Sequence, residues 1–304
     1  MESWRSAPRA FLVLLSPATV WLFVFFLVPL SLVWILSFGH QSDLITVTID
    51  WTAEQYLRAF DPEYVQIFIR SLWMAGLTTA ICLVFALPVA LGISFAPPRM
   101  KALLLLLMIL PFWTNLLIRT YALIAVFRTR GQVNFGLEWL WTQADGLLDW
   151  VGLGEAALLG DRFVPLDMLY NNFGVLIGLV YVHFPFMVLP LYAAVERLDR
   201  SYLEASLDLG AGQIRTFFSV VVPLAVPGII SGVILVMIPA LGSFLVPELL
   251  GGTENSMIAN VIERQFGAAN NWPFGAALSF ILLYATFGAL ALRSIAAGRR
   301  GADF

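Results

Sequence analysis

An all-α, polytopic membrane protein with six transmembrane helices is predicted by three features of this chain. Of its 304 residues, 60% are hydrophobic and 12% charged, about half the charge usual for a soluble domain. The apolar residues gather in six runs, each near the ~20 residues a helix needs to cross ~30 Å of hydrocarbon. Basic residues are distributed unevenly between those runs. One run alone would suit a buried core helix; six in one chain, with a mean hydropathy of +0.86, exclude a soluble protein.

The first span is read at about Phe11–Phe38. It is too long for a signal peptide and lacks a convincing small-residue cleavage site, so it is expected to be retained. The polar stretch Gly39–Ile69 follows, where Asp50 or Thr52 is placed to cap a short helix through Tyr56 to Phe60. The second span covers about Leu72–Phe95. After the Pro97–Lys101 turn, the third covers about Ala102–Phe127. Residues 129–172 form an extended loop whose Trp139, Trp141 and Trp150 suggest helices at the membrane interface. The fourth, fifth and sixth spans are read at about Phe173–Val195, Val226–Val246 and Phe274–Ile295. Prolines 17, 29, 88, 111, 185, 190 and 239 fall within spans, as suits kinked helices lining a transport path, though proline is common in membrane helices generally.

Orientation follows from lysine and arginine. With both termini in the cytoplasm, the inside segments hold Arg5, Arg9, Arg99, Lys101, Arg197, Arg200, Arg215, Arg293, Arg299 and Arg300. The longer outside segments hold only Arg58, Arg70, Arg128, Arg130, Arg162 and Arg264. Fourteen of the 20 acidic residues then lie outside, an arrangement that attracts cationic ligands. The lone cysteine, Cys82, offers neither a disulfide nor a thiolate metal cluster, and no residue pattern points to catalysis or a metal.

Between the fourth and fifth spans, Tyr202–Gly232 is more than a turn requires. Ser201 is placed to cap a helix over Tyr202–Leu209, with Glu204 as its capping-box partner. Glu204 and Asp208 share one face, and Leu203 and Leu207 another. Gly210 ends this helix. A second, about Gln213–Val221, is expected to stop at Pro223. Two angled helices with acidic and apolar edges form a knob suited to a cytoplasmic partner. The alternative, a helix pair resting on lipid, is opposed by the acids, which an anionic leaflet repels.

This segment resembles the cytoplasmic coupling motif of ABC-type importer permeases: Glu-Ala-Ala, three residues, Gly, nine residues, Ile, one residue, Leu-Pro. Here it reads Glu204-Ala205-Ser206, Gly210, Val220, Val222 and Pro223, with the spacing kept and three mild side-chain departures. The resemblance implies a single permease domain over residues 1–304, of the type I importer fold, in a bacterial inner membrane. Its coupling helices at 202–223 would present Glu204, Ala205, Ser206, Asp208, Gly210, Ala211 and Pro223 to a separate ATPase. ATP and Mg would be bound there, since this chain carries no GxxxxGK[ST] loop. The implied assembly has two ATPase subunits, a second permease subunit and an external solute-binding protein, with no role for nucleic acid.

A second resemblance, from the third span to the sixth, is to the spermidine/putrescine-type permeases. It rests on Pro111-Phe112-Trp113-Thr114-Asn115, Arg119-Thr120-Tyr121-Ala122, Val180-Tyr181, Pro185-Phe186-Met187, Leu189-Pro190-Leu191-Tyr192, Pro239-Ala240-Leu241-Gly242, Glu248-Leu249-Leu250-Gly251-Gly252, Met257-Ile258 and Asn271-Trp272-Pro273-Phe274-Gly275-Ala276. It implies a polyamine or related small organic solute as substrate. The polar groups available to meet it are Asn115, Arg119 and Tyr121 in the third span, Tyr181 and His183 in the fourth, and Ser243 and Glu248 at the outer end of the fifth. Trp113 and Tyr121 suit cation–π contact with an amine or plain interior packing. Arg119 is an awkward contact for a polycation and better suited to bonding a helix end or an acid. His183 is as well suited to packing as to binding. The competing classes are an ion-driven secondary transporter, which would more typically show related halves or intramembrane carboxylates, and a membrane scaffold without transport.

Overall fold

The computed structural model describes residues 8–41, 46–150, 162–252 and 254–301. Side chains at residues 8–10, 12, 148–150, 200 and 292–301 lie outside that description, and with them several arginines of the orientation argument and Trp150. The elements are α1 (Pro8–Leu22), α2 (Val28–Leu36), β1 (Gly39–Gln41), β2 (Val47–Ile49), α3 (Glu54–Arg58), α4 (Pro62–Phe95), α5 (Pro98–Ile109), α6 (Leu116–Phe127), α7 (Gln132–Trp150), α8 (Asn172–Glu196), α9 (Arg200–Asp208), α10 (Gln213–Thr216), α11 (Val222–Leu241), α12 (Leu245–Gly251), α13 (Ile258–Phe266) and α14 (Trp272–Gly301). Among the described residues, five helical segments are long and apolar enough to cross a membrane, and a bent pair supplies a sixth.

The chain forms two compact units, residues 1–66 with 261–304, and residues 67–260. In the first, α14 packs on α2 and α3. Trp34 Nε1 donates to the Tyr284 hydroxyl at 2.8 Å, and the Arg58 guanidinium lies 4.5 Å over the Phe274 ring. A two-stranded antiparallel ladder, Gly39 opposite Ile49, is the only β-structure among the described residues. Helix α3 begins after Ala53 without a side-chain cap. Asp50 and Thr52 therefore do not cap it, because the helix starts one residue too late for Thr52 to be its N-cap.

In the second unit, α11 lies along α8 and α12 packs on α6 and α8. Small residues permit the close approaches that hold helices together in lipid. Ala86, Ala90 and Cys82 of α4 are fully buried with Met187, Val188, Leu191 and Val236. A Cβ on Gly228 would lie 2.5 Å from Ala194 Cβ and 2.7 Å from the Pro190 carbonyl oxygen. Gly228→Ala is therefore expected to separate α8 and α11, at a cost of about 1–3 kcal/mol. Thermal unfolding of the detergent-purified assembly should show a lowered midpoint. Gly76→Ala, where nothing lies within 4 Å of the added carbon, is the control expected to leave it unchanged.

The spans depart from the sequence expectation in three places. Helix α4 starts at Pro62, ten residues earlier than expected; at 34 residues it is about 50 Å long, beyond the ~30 Å hydrocarbon core. The third span is not one helix. A 3₁₀ turn at Leu110–Trp113 and extended backbone at Thr114 and Asn115 break it, and the two arms meet at 98°. Pro111 in that turn cannot donate a backbone hydrogen bond. The fifth span runs from Gln213 to Leu241 as one helical segment. Pro223 does not stop it because a π-helical turn at Phe217–Val221 precedes the proline, with the Val222 N–H reaching back to the Phe217 carbonyl. The wider turn absorbs the donor that proline lacks. The same arrangement occurs in the first span, where a π turn at Phe23–Leu27 precedes Pro29.

Candidate functional site

The corner between α8 and α11 is built by local chemistry. Helix α9 starts at Arg200, capped by Asp199, whose carboxylate accepts from the Ser201 N–H at 3.0 Å. That bond, with the Ser201 hydroxyl, holds the Asp199 pKa below its ordinary value. The cap is thus two residues earlier than expected, and Ser201 and Glu204 form no capping box. Helix α9 ends in a Schellman arrangement: the Gly210 N–H donates to the Leu207 carbonyl at 2.9 Å and the Ala211 N–H to the Ser206 carbonyl at 3.1 Å. Gly210 has φ +83°, a left-handed conformation costing a non-glycine residue ~1–2 kcal/mol. The chain reverses into α10, and the Ser206 and Thr216 hydroxyls join the two helices at 2.9 Å.

Glu204, Ala205, Asp208 and Gly210 are exposed, Ser206 and Ala211 half-buried, and Pro223 is exposed at the start of α11. Leu209 is 88% and Ile214 76% exposed. Acids and large apolar side chains are therefore both exposed at this corner, a composition suited to protein contact. Behind it, a cavity of about 610 Å³ is lined by Leu91 and Phe95 of α4, Leu203, Glu204 and Leu207 of α9, Gln213 and Thr216 of α10, and Phe217 and Val221 of the π turn.

The polar candidates in and near the spans separate by burial. Arg119 is buried and spends its guanidinium on the broken third span. It donates to the Pro111 carbonyl, to the Thr114 carbonyl at 3.1 Å and to the Thr114 hydroxyl at 3.4 Å, so it satisfies carbonyls the break leaves open. The Tyr181 ring centroid lies 5.9 Å from it. Asn115 caps α6 by accepting from the Leu117 N–H at 2.8 Å. His183 is buried, with Nδ1 2.9 Å from the Leu179 carbonyl. Trp113, Tyr121, Tyr181 and Glu248 are exposed, and Ser243 is half-buried at the break between α11 and α12. Trp113 and Tyr121 flank the break in the third span, Tyr181 is on α8, and Glu248 is on α12, which packs on α6 and α8.

Sequence reasoning missed Asn260. It is fully buried, donates to the Phe244 carbonyl and to Glu248 Oε2, both at 2.8 Å, and accepts from the Met257 N–H at 3.0 Å. The last bond is the reach-back half of a capping box at the start of α13; an Asn at the third helical position after an apolar pair was the available signal. The Ile258 N–H goes to the Ser71 hydroxyl at 2.7 Å, a partner that local sequence does not reveal. The charge pattern marks Arg70 only as an outside charge. It donates to the Glu254 carbonyl and to Asn172 and Asn255, tying α4 to the start of α8 and to the loop after α12.

A set of apolar spans, one broken, with a capped, acid-bearing helical corner between the fourth and fifth, defines the membrane-spanning subunit of an ABC importer. A crystal structure of a bacterial ABC transporter involved in import of the acidic polysaccharide alginate shares the fold, with a TM-score of 0.67 over 98% of both chains at 16% identity. The chain belongs to the family of binding-protein-dependent transport system inner membrane components, whose profile matches residues 83–300. It is 41% identical over 262 residues to the spermidine/putrescine transport system permease protein PotB of Escherichia coli, covering 86% of this chain and 88% of that one. It is 40% identical to PotB of Haemophilus influenzae over 85% and 84% of the two chains. Identity to the inner membrane ABC transporter permease protein YdcU of Escherichia coli is 33%, over 89% and 84%. The chain is thus a multi-pass inner-membrane permease subunit of an ABC importer, an architecture that joins permease, ATPase and binding protein. The ion-driven transporter and the scaffold find no support in these likenesses.

Proposed function

We propose that this permease subunit imports polyamines or closely related cationic solutes, and that α9 and Gly210 form its contact with a cytoplasmic ATPase. The observation that carries the coupling role is the exposed α9 corner, where Glu204 and Asp208 at the motif spacing are exposed together with Leu209 and Ile214. Both termini then lie in the cytoplasm with α9. A second, homologous permease subunit completes the pathway, each permease engages one of two ATPase subunits, and an external binding protein delivers the solute. ATP binding by the ATPases opens the path outward, and hydrolysis and reset return it inward. ATP and Mg stay with the ATPases.

Polyamine specificity is supported by the relatives that carry that name and by the acid held by Asn260. A carboxylate fixed at the mouth of the path attracts a cationic ligand, and the exposed rings of Trp113, Tyr121 and Tyr181 offer faces to ammonium groups. Glu248→Gln keeps the side chain's shape and removes its charge. Uptake of radiolabelled spermidine at limiting concentration is expected to fall about ten-fold, the equivalent of ~1.4 kcal/mol of lost attraction. Unchanged uptake would remove Glu248 from the substrate path. Co-purification of the wild-type chain with an ATPase tests the coupling reading, and its absence overturns it.

A further inference from the structure

One carboxylate gathers the ends of three helices immediately ahead of the α9 corner. Glu196 is the last residue of α8. Lys101, in the first turn of α5, holds both of its oxygens at 2.6 and 2.8 Å, and the Ser94 hydroxyl, one residue from the end of α4, donates to Oε2 at 2.9 Å. Only residues 197–199 separate this knot from α9. Glu196 and Ser94 also line a small cavity of about 120 Å³, together with Leu203 of α9 and Val221 of the π turn that leads into α11.

We infer that Glu196 and Lys101 form a latch that makes α4, α5 and α8 respond together to movement of α9. The inference rests on the coupling role proposed for α9. The pair is partly exposed, with 20% of Lys101 and 38% of Glu196 accessible, so it contributes little stability of its own. Its value lies in connection. By chain continuity alone, a displaced α9 pulls directly on α8 and, through α10, on α11. The turn from α4 into α5 meets this region through packing of Leu91 and Phe95 at the two cavities, and this ion pair adds a polar tie to it. The hydroxyl of Ser94 and the ammonium of Lys101 come from either side of that turn, so the carboxylate grips it from both sides. A rigid joint passes on a displacement; a loosened one dissipates it. Glu196 and Lys101 are therefore positioning residues for transport, in contact with neither ATP nor solute.

The test uses the complete permease–ATPase complex in proteoliposomes, with spermidine and its binding protein, and reads uptake per ATP hydrolysed. Glu196→Gln and Lys101→Met are expected to assemble and hydrolyse ATP near the wild-type rate while uptake per ATP falls about five-fold or more, the lower end of ordinary coupling between sites. Lys101→Arg should retain most of the coupling. The charge swap Lys101→Glu with Glu196→Lys should recover part of it. Unchanged uptake per ATP in both single variants overturns the latch. So does loss of assembly in every variant, the swap included, because the pair would then serve folding alone. A wild-type chain that assembles with no ATPase would instead refute the coupling role of α9, a failure seen before any variant is made.

Discussion

Replacing Glu204 by arginine is expected to strip the ATPase from the detergent-purified complex and abolish uptake, while the chain itself remains folded in the membrane. Glu204 is exposed on α9, and the structure records no hydrogen bond or ion pair that Glu204 makes to the rest of the chain among the described residues. The substitution therefore costs the fold little. At the ATPase contact proposed for α9, a carboxylate suits a basic partner groove, against which an arginine would bring like charges together at a cost of several kcal/mol. Each 1.4 kcal/mol is ten-fold in affinity, so a loss of roughly a hundred-fold or more is expected. Co-purification measured alongside membrane abundance separates the two effects. ATPase binding at wild-type levels would remove Glu204 from the contact. The helix itself should survive, because its Asp199 cap and its Gly210 ending do not involve position 204.

Asn260→Leu is expected to have the largest effect on stability. The two side chains are similar in size, so the change removes hydrogen bonds and leaves no large void. The buried Met257 N–H loses its Asn260 partner, at about 1–3 kcal/mol for an unsatisfied buried group, and the Phe244 carbonyl keeps only the Glu248 N–H at 3.0 Å. With ~2–4 °C lost per kcal/mol in chains of roughly this size, the thermal midpoint of the purified assembly should drop by about 5 °C or more. Spermidine uptake should weaken as well, because Glu248 loses its Asn260 donor. A midpoint within a degree of wild type would mean that water or backbone rearrangement replaces those bonds. Asn260→Asp keeps the acceptor for Met257 but sets a buried carboxylate against Glu248 Oε2 and the Phe244 carbonyl, and should be at least as destabilising near neutral pH.

Several features of the fold were legible in the residues because they depend on local or periodic chemistry. Five apolar runs became the expected transmembrane segments within a turn or two at one end or both, since twenty apolar residues have few alternatives in water. The α9 corner was legible because its signals sit in sequence: an acid pair four apart, a glycine where left-handed backbone is needed, and a fixed spacing to Pro223. The errors were also local in kind. The N-cap moved from Ser201 to Asp199, both good capping residues two positions apart. Pro223 was read as a stop, whereas a preceding π turn lets the helix pass through it. In Ala102–Phe127 Pro111 pointed to a kink, but the apolar pattern did not show that Thr114 and Asn115 break the span outright, since both arms are equally apolar.

By itself, then, the sequence determined the membrane class, the number of apolar segments and the helical corner at α9, all of which follow from hydrophobic length and short-range capping. The tertiary structure decided which polar residues are occupied and which are available. Arg119 and Tyr121 are two positions apart in the chain, yet one is spent on the carbonyls of a broken helix and the other stands exposed. Asn260 reaches Phe244 across sixteen residues, Ser71 reaches Ile258 across 187, and Lys101 meets Glu196 across 95. The physical reason is the same in each case. A buried polar group must find a partner wherever the fold supplies one, and long-range partners are fixed by how the helices pack.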